Sequence, residues 1–174
     1  MNYRYPGPQS FREEDAHIFN GRQRETKALY DLLFVQPLVV LFARSGMGKT
    51  SLLQAGIIPK LLFTEFDPIK IRLNKTDSPP DRQAVQEIWP SAPQDATLWE
   101  AVRHYNDKQR GTPVLFFDQF EEAFTLYSET QRTAFIRQMA DLINGYLPDV
   151  LRTRIREGLE KDLLSPSQAT EAER

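Results

Sequence analysis

The sequence predicts an α/β protein whose mainly parallel sheet is doubly wound and carries helices on both faces. Two continuous apolar runs, 37–43 and 113–118, have the length and the residue types of buried parallel strands. An alternating segment at 68–73 is typical of a further strand. Stretches with helical spacing lie between and after these runs, and alternation of strands with helices is the pattern of a parallel sheet. A glycine-rich turn joins the first strand to the next helix.

The first half of the chain predicts three helices. Ser10 followed by Glu13 has the spacing of a capping box, so a short helix is expected to begin there. Apolar residues on one helical face predict a second helix over about 22–34. A third is expected over about 49–61, directly after the glycine-rich turn.

The second half predicts a long connection and three further helices. Prolines are frequent in 74–95, which is expected to be irregular. Helices are expected over 96–109, from Ser128 with Gln131 at capping-box spacing, and after Pro148. The last two helices are expected to bury Phe135, Met139, Leu142, Ile143 and Tyr146, and Val150, Leu151, Ile155, Leu159 and Leu163.

Composition is that of an ordinary globular protein. The 174 residues are 40% hydrophobic and 26% charged, with a net charge of −2, so no nucleic-acid partner is indicated. Because there are no cysteines, a disulfide framework and a cysteine metal site are excluded. No run reaches the roughly 18 apolar residues that a membrane span needs, so a cytoplasmic protein without a membrane partner is expected.

The turn at 43–50 matches the phosphate-binding loop (P-loop), Gly-x-x-x-x-Gly-Lys-Ser/Thr, with Ala43 in place of the first glycine. Glycines let backbone N–H groups converge on an anion, and the next helix adds its N-terminal dipole. Lys49 is expected to reach the β- and γ-phosphates of a nucleoside triphosphate, and Thr50 to bind Mg²⁺. The expected nucleotide-binding residues are Ser45, Gly46, Met47, Gly48, Lys49, Thr50 and Ser51.

A carboxylate ends the apolar run 113–118. Asp118 is therefore expected to bind Mg²⁺ through a water molecule. Many P-loop ATPases have the general base directly after this aspartate, but Gln119 stands there. Glu121 or Glu122 is then expected to be the catalytic base, beside Lys49, and the sequence does not decide between the two glutamates.

The four residues Asn74-Lys-Thr-Asp77 match the guanine-reading motif of GTPases. In GTPases that motif follows the Mg²⁺-binding segment, whereas here it precedes Asp118. A polar turn is therefore the favoured interpretation.

Three segments together resemble STAND-class NTPases, in particular the novel STAND group of bacterial signalling and conflict proteins. They are 5–22, which ends in Phe19-Asn-Gly-Arg22, the loop and helix 45–59, and 114–122. The resemblance implies that Phe19, Gly21 and Arg22 lie near an adenine, so that the ligand is ATP. It also implies slow hydrolysis coupled to a switch between a monomer and a homo-oligomer, with sensor and effector domains attached.

The resemblance also implies a further strand that ends in an arginine, and no strand pattern follows residue 127. We therefore expect a P-loop domain over 1–164 that is incomplete at its C-terminus, followed by a linker over 165–174. An ATPase switch in a longer chain is the favoured function, and a nucleotide-gated interaction module without hydrolysis is the alternative. A small-molecule kinase is disfavoured because 74–95 offers Arg82 alone for an arginine-bearing lid.

Overall fold

The computed structural model describes residues 9–74, 76, 78–108, 111–161 and 163–173. Within them, two parallel strands form one sheet, β1 (Phe66–Arg72) and β2 (Thr112–Asp118). Both were predicted, and β1 begins two residues earlier than expected. Helices surround these strands in the sequence, so the α/β class is confirmed. The doubly wound sheet stays a prediction.

The chain divides into two compact units. The first is drawn from Met1–Lys70 and Lys108–Asp118, and the second from Ile71–Asp107 and Gln119–Arg174.

Two helices precede the P-loop in the first unit. The chain forms a 3-10 helix at Glu13–Ile18, so the start expected near Phe11, with Ser10 as its cap, lies two residues too early. The cap of this helix is Arg12, whose backbone N–H donates to the Asp15 carboxylate at 2.9 Å. The α-helix Gln23–Leu33 follows, as predicted.

The helix after the P-loop, here the P-loop helix, is continuous but changes its winding. It is α-helical over Lys49–Ser51, π-helical over Leu52–Ile57 and α-helical again over Ile58–Leu61. Pro59 explains the change, because proline has no N–H for the bond to the residue four positions earlier and its ring crowds that carbonyl. The wider π turn precedes this point, as π turns in helices commonly do where the regular ladder is interrupted.

The core of the first unit lies between its two α-helices and the sheet. Buried residues come from Gln23–Leu33, from the P-loop helix and from β2. Partly buried side chains of Phe19, Val39, Leu41 and Phe66 pack against them. The buried set is Leu29, Leu52, Ile57, Ile58, Leu61 and Phe116.

The apolar run 37–43 differs from its prediction as a strand covered on both faces. No strand pairing is assigned to it within the described residues. Val39 and Leu41 turn toward the core, whereas Val40 is 71% and Phe42 87% exposed. The run is therefore extended with one buried side, and the strand prediction is wrong in its pairing and in its second face. Residue type alone could not reveal this, because a continuous apolar run has no polar side to mark the exposed face.

The remaining helices of the described chain belong mainly to the second unit. Leu98–Lys108 confirms the helix expected over 96–109, and Glu129–Asn144 and Asp149–Glu160 confirm the helices after Ser128 and Pro148. The other helices are Pro80–Ile88, Glu122–Leu126 and Pro166–Glu173.

Two of these helices occupy segments predicted to be irregular. The helix Pro80–Ile88 lies within 74–95. It can form there because Pro80 takes the first helical position, where its missing N–H costs nothing. Pro166–Glu173 lies within the predicted linker 165–174, and Arg103 donates to the carbonyl of Ala172 at 2.8 Å. In 74–95 the prolines were taken as breakers, whereas in both segments a proline is the first residue of a helix.

The predicted buried faces are confirmed in part. Phe135 is fully buried, and Leu151 and Ile155 are 6% and 7% exposed. Other members of the faces are wrong, because Tyr146 lies beyond the helix end at Asn144 and Val150 lies in the first turn of the next helix, which begins at Asp149. The exposed members of the predicted set are Tyr146, Val150, Leu159 and Leu163.

Candidate functional site

The P-loop at 43–50 is shaped by two glycines with left-handed backbones. Gly46 has φ 80° and Gly48 has φ 72°, conformations that L side chains rarely adopt. A Cβ built on Gly46 would meet no described atom within 4 Å, so the loop opens onto free space there. The P-loop helix begins directly after Gly48, so its unpaired N–H groups start at the end of the loop.

Lys49 folds back over the loop. Its Nζ donates to the carbonyl oxygen of Ala43 at 2.9 Å, which closes the loop from its first residue to its lysine. The ammonium group therefore already lies across the turn, where an anion held by the loop would meet it.

Thr50 and Asp118 meet at the junction of the P-loop helix and β2. The Thr50 hydroxyl donates to Oδ1 of Asp118 at 3.1 Å, in a partly buried position. Strand β2 ends at Asp118, which places the carboxylate beside the first turn of the helix. Two hard oxygens this close can share the coordination shell of one small cation, and Mg²⁺ is commonly held by one or two protein oxygens plus phosphates. The residues present therefore fit the expected ion.

Arg22 reaches the P-loop from the N-terminal segment. Its Nη1 donates to the carbonyl oxygen of Met47 at 3.2 Å and would lie 3.8 Å from a Cβ on Gly48. Its Nε lies 2.8 Å from the Glu25 carboxylate but lacks the direction of a hydrogen bond. A guanidinium group thus borders the loop, a contact that sequence reasoning did not foresee.

Phe19 and Gly21 hold the segment that carries Arg22. Gly21 has φ 87° and turns the chain just before the helix Gln23–Leu33. The ring of Phe19 packs against the core and lies edge-on to Phe11, with centroids 5.4 Å apart. The expected adenine contacts of Phe19, Gly21 and Arg22 stay a prediction.

Ser51 is engaged with the same segment. Its side chain is buried, and its hydroxyl accepts from the Phe11 backbone N–H at 3.1 Å. Ser45 is exposed at the start of the loop.

The predicted base candidates belong to the second compact unit. Glu121 is exposed and Glu122 is half-buried at the start of the helix Glu122–Leu126. Gln119, between Asp118 and these glutamates, has φ 58°, and its Oε1 is buried without a hydrogen bond to any described group. Glutamine has no marked preference for a left-handed backbone, so its residue type carries no signal of this strain.

Asn74, which opens the Asn-Lys-x-Asp match, uses its backbone in a turn. Its N–H donates to the Gln83 side chain at 3.0 Å and its carbonyl accepts from the Tyr127 hydroxyl. Lys75 and Asp77 lie outside the described residues.

The described part of the chain lacks both a cluster of metal-binding side chains and a helix that could span a membrane. No group of three or more histidine and acidic side chains there is arranged to hold a metal ion, so a cation at Thr50 and Asp118 would need ligands from phosphate and water. No helix in those ranges combines the length and the apolar character that a membrane crossing requires.

A family model described as Novel STAND NTPase 1 matches residues 5–170. The match contains the P-loop, Asp118 and the N-terminal segment with Arg22. No curated protein and no solved structure matches the chain.

Proposed function

Because the chain belongs to the novel STAND NTPase 1 family, we propose that it binds ATP with Mg²⁺ at the P-loop and couples slow hydrolysis to a change of conformation or assembly. The observation that supports this most directly is the contact between the Thr50 hydroxyl and the Asp118 carboxylate. It joins the end of the P-loop to the end of β2, which is the pairing that Mg²⁺·triphosphate binding requires.

The phosphate end of ATP would be held by backbone N–H groups of the loop and by two cations. Lys49 exchanges the Ala43 carbonyl for phosphate oxygens, and Arg22 lies at the rim beside Met47. For both side chains a phosphate oxygen would replace a neutral carbonyl oxygen as the acceptor. Hydrogen bonds between two charged groups are stronger than those to a neutral acceptor. Phe19 and Gly21 would border the nucleoside.

The metal end would be held by Thr50 and Asp118. Bound Mg²⁺ supplies charge neutralisation for the phosphoryl group that is transferred to water. The chain then has to supply a proton acceptor for that water, and Glu121 and Glu122 are the carboxylates that follow Asp118 most closely in the sequence.

Calorimetric titration with ATP in the presence of Mg²⁺ tests binding. Replacing Lys49 by alanine removes charge-assisted bonds, so we expect Lys49→Ala to weaken ATP about ten- to hundredfold. Lys60→Ala is the matched control, because Lys60 is an exposed lysine of the same helix. Equal affinity of the wild type and Lys49→Ala, or no binding by the wild type, would contradict the proposal.

A second candidate is a nucleotide-gated interaction module that binds ATP without turnover. One observation favours it, namely that Gln119 stands directly after Asp118. An amide is not a general base, so hydrolysis depends on a glutamate farther along the chain. The two candidates differ in whether phosphate is released.

A further inference from the structure

Gly56 of the P-loop helix lies against the segment that carries Arg22. A Cβ built on Gly56 would be 3.0 Å from the hydroxyl oxygen of Thr26 and 3.2 Å from Cε1 of Phe19. Both separations are shorter than ordinary van der Waals contact, so a side chain at this position would displace one of the two neighbours by a few tenths of an ångström. The absence of a side chain is what permits this close approach.

The two neighbours of Gly56 flank Arg22 along the chain. Phe19 precedes Arg22 by one short turn through Gly21. Thr26 follows it in the first turn of the helix Gln23–Leu33, and the Thr26 backbone N–H donates to the Arg22 carbonyl oxygen at 2.9 Å. Contact with Gly56 therefore constrains the backbone position of Arg22 through the residues on either side of it in the sequence.

Both neighbours are held by further contacts. Thr26 is 5% exposed, and Phe19 packs against the core and against the ring of Phe11. Phe11 is itself tied to the P-loop helix by its bond to Ser51. Close-packed neighbours transmit a displacement, so a shift imposed at Gly56 passes along the chain to Arg22.

We infer that Gly56 is a positioning residue, which places the guanidinium group of Arg22 beside the P-loop and thereby tunes the affinity for the triphosphate. The inference rests on the proposed function, because it concerns the same site. The connection runs from Gly56 through Phe19 and Thr26 to Arg22, whose Nη1 bonds the Met47 carbonyl at 3.2 Å.

A double-mutant cycle tests this connection. Titration calorimetry with ATP and Mg²⁺ is applied to the wild type, Gly56→Ala, Arg22→Ala and the double variant. We expect Gly56→Ala to weaken ATP by about threefold to tenfold, as partial loss of a charge-assisted bond would. In the Arg22→Ala background the same substitution is expected to change nothing, because the displaced guanidinium is already gone.

Gly158→Ala is the matched control, a buried helical glycine of the second unit whose Cβ would meet the Leu164 side chain. Alanine favours helix more than glycine does, so Gly56→Ala is expected to fold, and circular dichroism checks this. Unchanged affinity in Gly56→Ala overturns the inference, and so does an equal loss with and without Arg22. No ATP binding by the wild type would instead refute the proposed function, which separates the two failures.

Discussion

Gln119 holds a left-handed backbone, φ 58°, directly after the aspartate that ends β2. Such a conformation costs a non-glycine residue free energy on the order of 1 kcal/mol or more, and structures retain it where the surroundings impose it. Its buried Oε1 has no hydrogen-bond partner among the described residues, so no hydrogen bond to that oxygen offsets the backbone strain.

Two replacements of Gln119 separate backbone strain from side-chain effects. Gln119→Asn keeps an amide and a residue that tolerates the left-handed region, so we expect a change in unfolding free energy within about 1 kcal/mol. Gln119→Val places a β-branched residue at positive φ and is expected to cost about 1–3 kcal/mol more. Urea denaturation followed by circular dichroism measures both. Equal stability of the two variants would show that the turn relaxes.

The two glutamates after Gln119 can be distinguished by phosphate release. A general base contributes about 10²–10⁴-fold, so replacing the acting base by glutamine should lower the rate by that order while ATP still binds. We expect Glu122→Gln to show this loss and Glu121→Gln to serve as its matched control, because Glu122 is half-buried and Glu121 exposed. The reverse result would assign the base to Glu121, and equal rates in all three proteins would exclude both.

At the scale of elements, the extended run 37–43 is the clearest departure from expectation. Its apolar residues alternate between a side that packs on the core and a side that faces solvent. Another strand can add to an extended segment whose backbone is unpaired, so proteins usually cover such a segment or place charged residues in it. The exposed residues here are the uncharged Val40 and Phe42, and no described residue covers them.

A pair of adjacent substitutions tests this one-sided burial. Leu41→Ala removes a side chain that packs on the core and is expected to lower the free energy of unfolding by about 1–3 kcal/mol. Phe42→Ala removes one that is 87% exposed and should stay within about 0.5 kcal/mol of the wild type. Thermal unfolding of the two variants compares them directly. A large loss in Phe42→Ala would mean that both faces are buried.

Local chemistry decided which elements could be predicted. Ser128 caps the helix Glu129–Asn144 and exchanges hydrogen bonds with Gln131, as the spacing predicted. The same spacing at Ser10 failed, because Asp15 meets the N–H of Arg12 and the helix starts later. A capping pattern indicates which residues could cap a helix, and tertiary packing determines where the helix begins.

At the scale of the whole molecule, residues far apart in sequence make up the candidate site. The P-loop and Asp118 were predicted as partners because strand-end carboxylates meet P-loops, and the contact between Thr50 and Asp118 agrees with that expectation. The contact between Arg22 and Met47 could not be predicted, since nothing in either residue encodes a meeting across the fold. Residue chemistry therefore suggests which side chains could bind a nucleotide, whereas packing across the fold determines which of them are neighbours.

Assembly is the property of the whole chain that the proposed function makes testable. We expect the mass measured by size-exclusion chromatography with light scattering to rise when Mg²⁺ and a non-hydrolysable ATP analogue are added. Lys49→Ala should abolish the rise, because the ligand can shift assembly only through its differential binding to the two states. An unchanged mass in the wild type at saturating analogue would rule out nucleotide-dependent oligomerisation of this chain.

The bond from Lys49 to the Ala43 carbonyl bears on whether the chain can fold before it binds a nucleotide. The loop itself supplies a hydrogen-bond acceptor for Lys49, and Asp118 supplies one for Thr50. Because these polar groups have hydrogen-bond partners within the protein, we expect the chain to fold without a nucleotide. Under the proposed function, ATP would take the place of these partners in a protein that is already folded, and purification in nucleotide-free buffer should yield folded material.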